Sequence, residues 1–157
     1  MFKDADIDGV IIKPLKKFSD DRGWLMELFR TDEVAAEYVP EMTYISMTKP
    51  GVARGPHEHI DQADYFCFAG PSDFKVFLWD NRPGSPTHNN RMAFVAGESN
   101  PTIVIVPKKV VHAYKNVGDK DGLVINCPNR LFKGKGKSEP VDEVRYEHDA
   151  ASPYKVD

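Results

Sequence analysis

The stretch GPHEHIDQADYFCFAG, Gly55 to Gly70, decides how this chain is read. It sets His57 and His59 two residues apart, so that on a β-strand both imidazoles leave the same face. Asp64 follows at the head of an apolar run. Much later, PKKVVHAYKN, Pro107 to Asn116, places His112 after a proline-opened turn at the start of another strand-like segment. Two imidazoles at i and i+2, a carboxylate soon after and a distant third imidazole form one site if the strands pair. That set suits Mn, Fe, Ni or Zn. The same imidazoles suit proton transfer, because a histidine titrates near neutral pH.

Around this centre, 12 Pro and 11 Gly cut the chain into short segments rich in β-branched and aromatic residues. The pattern predicts strands over Val10–Lys13, Thr43–Thr48, Tyr65–Ala69, Phe74–Asp80, Met92–Ala96, Thr102–Val106, His112–Val117 and Leu123–Asn126. An all-β sandwich or small barrel follows. The one helical candidate is peripheral and short, Asp32–Tyr38, with Thr31 as N-cap and Pro40 as terminator. In Phe74–Asp80 both strand faces are apolar, Phe74, Val76 and Leu78 on one and Phe77 and Trp79 on the other, so both require cover. After Lys133 the chain turns polar through KGKGKSEP, read as a solvated loop. Val144, Tyr146, Tyr154 and Val156 then supply apolar anchors for a tail that folds back on the domain.

The chain has 157 residues, 41% apolar and 29% charged, which suits one domain over residues 1–157 with a core of its own. Twenty-one basic against 24 acidic residues give a net charge of −3 without a block of either sign, which speaks against a nucleic-acid partner. The apolar runs are far shorter than a membrane helix needs. The N-terminal MFKDADIDGV lacks the apolar stretch of a secretory signal, and Cys67 and Cys127, without CxxC spacing, read as packing thiols. A soluble protein of the reducing cytoplasm is the expectation.

The histidine pattern resembles the cupin superfamily. Gly55, His57, His59, Asp64 and Gly70 follow its first motif, and Pro107, His112 and Asn116 its second, with Asp64 in place of the usual Glu and Lys109 in place of the usual Gly. The resemblance implies a double-stranded β-helix, the cupin jelly roll, with a short peripheral helix.

A closer resemblance spans nearly the whole chain. SDDRGWLMELF (Ser19–Phe29), GVARGPH (Gly51–His57), WDNRPGSPT (Trp79–Thr87) and PKKVVHAY (Pro107–Tyr114) are similar, in order, to four blocks of the dTDP-4-dehydrorhamnose 3,5-epimerases. In that family a histidine held by an aspartate removes the proton beside a keto group, a tyrosine supplies a proton on the other face, and a lysine steadies the enolate. No metal is needed. The resemblance puts His57 on the base, Asp157 as its orienting carboxylate with Asp149 a poorer choice, and Arg54 near the pyrophosphate. Arg22 and Glu27 fall in the sugar-nucleotide cleft, across a dimer interface, and His112 takes the second histidine of the cleft.

This sequence departs from the family where the chemistry lies. The lysine aligns with Ala63 and the tyrosine with Ile125 or Asn126, while the glutamine two places after the base is His59. Three readings follow. The leading one is a homodimeric sugar-nucleotide epimerase or isomerase that abstracts a proton beside a keto group of a deoxysugar nucleotide, without a cofactor. The second is a metal-dependent cupin, isomerase or dioxygenase, holding Fe, Mn, Ni or Zn on His57, His59, Asp64 and His112. The third is a non-catalytic sugar-nucleotide-binding cupin.

Overall fold

The computed structural model describes residues 1–157. Its strands, in chain order, are β1 (Lys3–Asp4), β2 (Ile11–Pro14), β3 (Lys17–Asp20), β4 (Gly23–Met26), β5 (Tyr44–Thr48), β6 (Ala53–Glu58) and β7 (Asp64–Phe68). They continue with β8 (Asp73–Asp80), β9 (Asn90–Gly97), β10 (Thr102–Val106), β11 (Val110–Asn116), β12 (Gly122–Asn126) and β13 (Val144–Arg145). Two sheets face each other, one ordered β1-β9-β8-β11-β6-β13 and the other β2-β10-β7-β12-β5; β3 and β4 form a separate hairpin. All pairs are antiparallel except β1 with β9. This is a jelly roll, as the punctuated strand pattern predicts, and each of the eight predicted strands is present within one or two residues of its expected ends.

The alternation of side chains explains the three layers of packing. Phe74, Val76 and Leu78 of β8 and Tyr114 of β11 meet Phe66, Phe68, Val104 and Val106 of the opposite sheet in the central core. Phe77 and Trp79, on the other face of β8, are covered by Tyr146, Tyr154 and Val156 of the chain's own tail and by Phe2. The outer face of the second sheet, with Tyr65, Cys67, Ile103 and Ile105, is covered by Met26, Leu28, Phe29, Val34 and Tyr38. Each sheet is thus apolar on both faces because each outer face has a strap of chain lying on it.

The predicted helix is not formed. Ala36–Tyr38 makes one 3₁₀ turn, Ala35 occupies its N-cap position without a side-chain hydrogen bond, and Thr31 lies well before it. Seven residues give too few hydrogen bonds to offset helix nucleation, whereas an irregular strap lets Val34 and Tyr38 reach the sheet. No helix is long and apolar enough to cross a membrane. At the turn into β11, Lys109 takes the cupin glycine's place and adopts φ +63° in the left-handed region.

One buried ion pair closes the turn after β8. Asp80, fully buried, accepts hydrogen bonds from Arg82 Nε at 2.8 Å, Ser85 Oγ at 2.6 Å and Thr87 Oγ1 at 2.6 Å. Burial would raise its pKa, but these donors together draw it well below the ordinary carboxylate range. The DNRPGSPT block is therefore a structural turn. A carboxyl depressed in the folded state stabilises above its unfolded pKa of about 3.9 and loses that contribution as pH falls. Asp80→Asn should cost roughly 2–4 kcal/mol at pH 7, measured by urea denaturation. The gap from wild type should narrow as the pH is lowered below about 4.

Candidate active site

The four candidate ligands of the sequence converge at one end of the barrel. β6 and β11 pair with His57 directly opposite His112, and the register slips by one residue between there and Tyr114–Arg54. Gly55 makes this bulge: it sits at φ +79°, and a Cβ there would lie 2.5 Å from the His112 carbonyl oxygen and 3.1 Å from His57 Nδ1. The rings of His57 and His112 consequently lie 4.4 Å apart between centroids, with His59 at 5.6 Å from His57. Asp64 comes from the facing sheet at the head of β7, 1% exposed. One donor atom from each of His57, His59, Asp64 and His112 fits within a span of 4.8 Å.

Hydrogen bonds to the backbone orient two of these rings. His59 Nδ1 donates to the carbonyl of Asp142, and His112 Nδ1 donates to the carbonyl of Val110 at 3.1 Å. Both therefore turn Nε2 inward, to 3.2 and 3.1 Å from Asp64 Oδ2. The other oxygen, Oδ1, accepts from Gln62 Nε2 and Asn126 Nδ2, each at 2.8 Å. Burial alone would raise Asp64, yet hydrogen bonds from His112 and His59 hold it well below the usual range. Burial would likewise lower His59, but Asp64 outweighs it and lifts that ring to about 9. His57 is different: burial, then the neighbouring His112, press it down to about 2, so its ring is neutral at physiological pH.

Sequence reasoning missed the carboxylate beside His57. Glu143 Oε1 stands 3.8 Å from His57 Nε2 and is itself held by Arg145 at 2.8 Å. It arrives because β13 adds to the edge of β6, Val144 pairing with Glu58 and Arg145 with His57. Neighbouring Asp142 fastens the same segment by accepting from the backbone N–H groups of Ile60, Asp61 and Gln62, each at 2.9 Å. Asp157, the expected partner, lies elsewhere: its carboxylate is 68% exposed and pairs with Arg91 on β9 at 3.0 Å. The tail's aromatic anchors pack against β8 and carry its end to that far side. Asp149 is taken up in a local turn, accepting from the Ala151 N–H.

His57 and His59 line a cleft of about 1410 Å³, with Arg54, Tyr44 and Tyr114. Arg54 is braced against β5, donating to Thr48 Oγ1 at 2.9 Å and to the Met47 carbonyl at 2.7 Å. Lys133, Lys135 and Lys137, expected in a solvated loop, fold along the mouth of the cleft with Phe132. Arg22 and Glu27 are absent from the cleft of their own chain. Arg22, its side chain 87% exposed, pairs with Asp20 on the β3–β4 turn at 2.5 Å, and Glu27 faces Arg30 at 3.4 Å.

With the geometry in place, known proteins can be set beside it. A sequence model of the dTDP-4-dehydrorhamnose 3,5-epimerases matches residues 4–139. The chain belongs to that family. It is 38% identical over 146 residues to a probable low-salt glycan biosynthesis epimerase, Agl13, of Haloferax volcanii, covering 92% of this chain and 90% of that protein. It is also 38% identical over 119 residues to the spore coat polysaccharide biosynthesis protein SpsL of Bacillus subtilis strain 168, covering 76% and 78%. A dTDP sugar isomerase of Desulfovibrio desulfuricans G20 shares the fold, with a TM-score of 0.78 at 22% identity over 92% of this chain and 87% of that one. The family is one of sugar-nucleotide epimerases, as the leading reading of the sequence has it.

The bulge is the feature on which the cleft's floor rests. Gly55→Ala should lower stability by roughly 2–4 kcal/mol, through both the left-handed backbone and the clash with His112. Thermal unfolding followed by circular dichroism measures it.

Proposed function

We propose that the protein epimerises a 4-keto-deoxysugar nucleotide by proton transfer between the two walls of this cleft, His57 on one wall and Tyr44 on the other. The observation that carries the proposal is the placement of His57 in the cleft with the Glu143 carboxylate 3.8 Å from its Nε2. A neutral ring has one nitrogen lone pair to take the proton beside a keto group. The imidazolium so formed is met by the Glu143 carboxylate 3.8 Å away. Removal of a carbon-bound proton breaks the C–H bond, leaves its electron pair in the enolate, and is reversed when a proton is returned from the opposite face.

Tyr44 is suited to return it. The family's tyrosine aligns near Ile125 or Asn126, and β5 pairs with β12 so that Tyr44 stands directly across from Asn126. Asn126 Nδ2 donates to the Tyr44 hydroxyl at 3.0 Å. Burial raises that phenol to about 12, so it holds its proton at neutral pH. The phenol is supplied from the neighbouring strand. Arg54 and the lysines of the 133–137 loop offer cationic contacts to a nucleotide diphosphate. The two buried, unpaired cysteines suit a reducing cytoplasm.

A homodimer belongs to the same proposal. The β3–β4 hairpin displays Phe18, Trp24 and Leu25 at 43%, 56% and 59% exposure, an apolar surface unusual for an isolated hairpin. A second copy docked there would cover it and bring Arg22 and Glu27 towards a neighbouring cleft. The double substitution Trp24→Glu with Leu25→Glu should halve the mass seen by sedimentation velocity.

Incubation with a dTDP-4-keto-6-deoxy sugar in heavy water tests the chemistry. Deuterium should enter beside the keto group with wild type, and His57→Asn should slow this by roughly 10²–10⁴-fold. Tyr44→Phe should retain more of the exchange than of the inverted product, since it removes only the return from the far face. Absence of wild-type exchange would defeat the proposal.

A further inference from the structure

We propose that Glu58 and Tyr146 are positioning residues of the reaction: joined on the outer face of β6, they set where Glu143 stands beside His57. Their role depends on the function given to Glu143 above. His57 and Glu58 are successive residues of β6, so their side chains leave opposite faces, the imidazole into the cleft and the carboxyl outward beneath the tail. The segment paired with them alternates in the same way. Glu143, Arg145 and Glu147 line the cleft, whereas Tyr146 turns to the covered side and packs on Tyr154, their ring centroids 4.8 Å apart. One edge pairing thus carries a carboxylate and an imidazole on its inner face and a phenol and a carboxyl on its outer face.

Glu58 is 6% exposed, and the proton transfer makes no use of it. A carboxyl group buried so far needs hydrogen-bond donors. The Tyr146 hydroxyl donates to its Oε1 at 2.5 Å and Asn81 Nδ2 to the same oxygen at 3.1 Å. β13 has two residues, too short a ladder to fix an edge by itself. It is fastened from both ends instead. Before it, Asp142 holds the backbone of residues 60–62. After it, the Tyr146 N–H donates to the Pro56 carbonyl at 2.9 Å while its hydroxyl reaches Glu58. Glu143 lies between the two fastenings, held by Arg145, which Glu147 holds in turn at 3.0 Å. Release of the second fastening frees one end of β13, and with it the 3.8 Å separation of Glu143 from His57. Catalysis is sensitive to displacements of that kind, because a group must stand in place before the barrier is crossed.

The test is labelling of a dTDP-4-keto-6-deoxy sugar in heavy water by Tyr146→Phe, which keeps the ring against Tyr154 and removes only the hydroxyl. Its kcat should fall roughly 10–100-fold with KM little changed. Glu58→Gln, which keeps an acceptor for Tyr146, should recover most of the rate that Glu58→Ala loses. The deciding measurement repeats Tyr146→Phe in a Glu143→Gln protein. There the phenol has no carboxylate left to place, so its loss should change the rate by no more than about twofold. A contact that merely stabilises the fold would cost the same in both backgrounds. Equal losses, or an unchanged rate in Tyr146→Phe that circular dichroism shows to be folded, would overturn the positioning role. Amide hydrogen exchange read by mass spectrometry needs no substrate: residues 142–146 should exchange faster in Tyr146→Phe while β8 keeps its protection, and unaltered protection of that segment would also overturn it. Wild-type protein that labels no substrate would remove the reaction proposed above and leave the amide result to decide whether Glu58 and Tyr146 hold Glu143 in place.

Discussion

The Asp64 carboxylate ties the two sheets together where the hydrophobic core ends. Below it, Phe66 and Tyr114 fill the space between the sheets with rings in edge-to-face contact. At its level, apolar packing gives way to His57 and His112 from one sheet, and His59 just beyond β6, facing one carboxylate from the other sheet. A charge this deeply buried is tolerable only when paired and hydrogen-bonded. Asp64 meets that condition with two amides on one oxygen and two imidazoles close to the second. The positions of Gln62, Asn126, His59 and His112 are thereby bound to one another, and through Asn126 so is Tyr44. Removing the carboxylate would disturb both walls of the cleft together, because each is oriented against it.

The central strands and the convergence of the histidines were legible because both follow from short-range rules. Period-two alternation marks β8 and β10, and the HxH spacing puts His57 and His59 on one face wherever β6 runs. The covered outer face of β8 was legible too, since Phe77 and Trp79 demanded shelter and the tail carried Tyr146 and Tyr154. The strand β6 itself escaped recognition: ARGPHE contains a glycine and a proline, which argue against a strand unless a bulge absorbs them. Glu143 and Tyr44 escaped for another reason. Their roles depend on register between strands distant in sequence, β13 with β6 and β5 with β12, and a carboxylate in a charged run looks like any solvated residue. Asp157 was chosen by alignment to a C-terminal region, but the aromatic anchors that hold the tail on β8 carry its end past the cleft.

The family's lysine and tyrosine are missing from their aligned positions, but their loss does not have the same meaning in both cases. A tyrosine can be replaced from an adjacent strand because what matters is where its hydroxyl stands, and Tyr44 reaches Asn126 across one strand pair. The lysine has no such substitute on the floor of the cleft. Ala63 is buried and its N–H is used by Asn129. The lysines at positions 133, 135 and 137 stand at the mouth. What the floor does contain is an excess of imidazole, with His59 where the family has glutamine.

Proton transfer and metal binding, read from the sequence, compete for the same four residues. The geometry separates them, because the rings are held in different ways. His59 and His112 are clamped by backbone carbonyls with Nε2 turned towards Asp64, whose charge favours the protonated His59 ring, an arrangement poorly suited to a base that must accept and release protons. His57 is clamped by neither and faces a carboxylate that can stabilise its charged form.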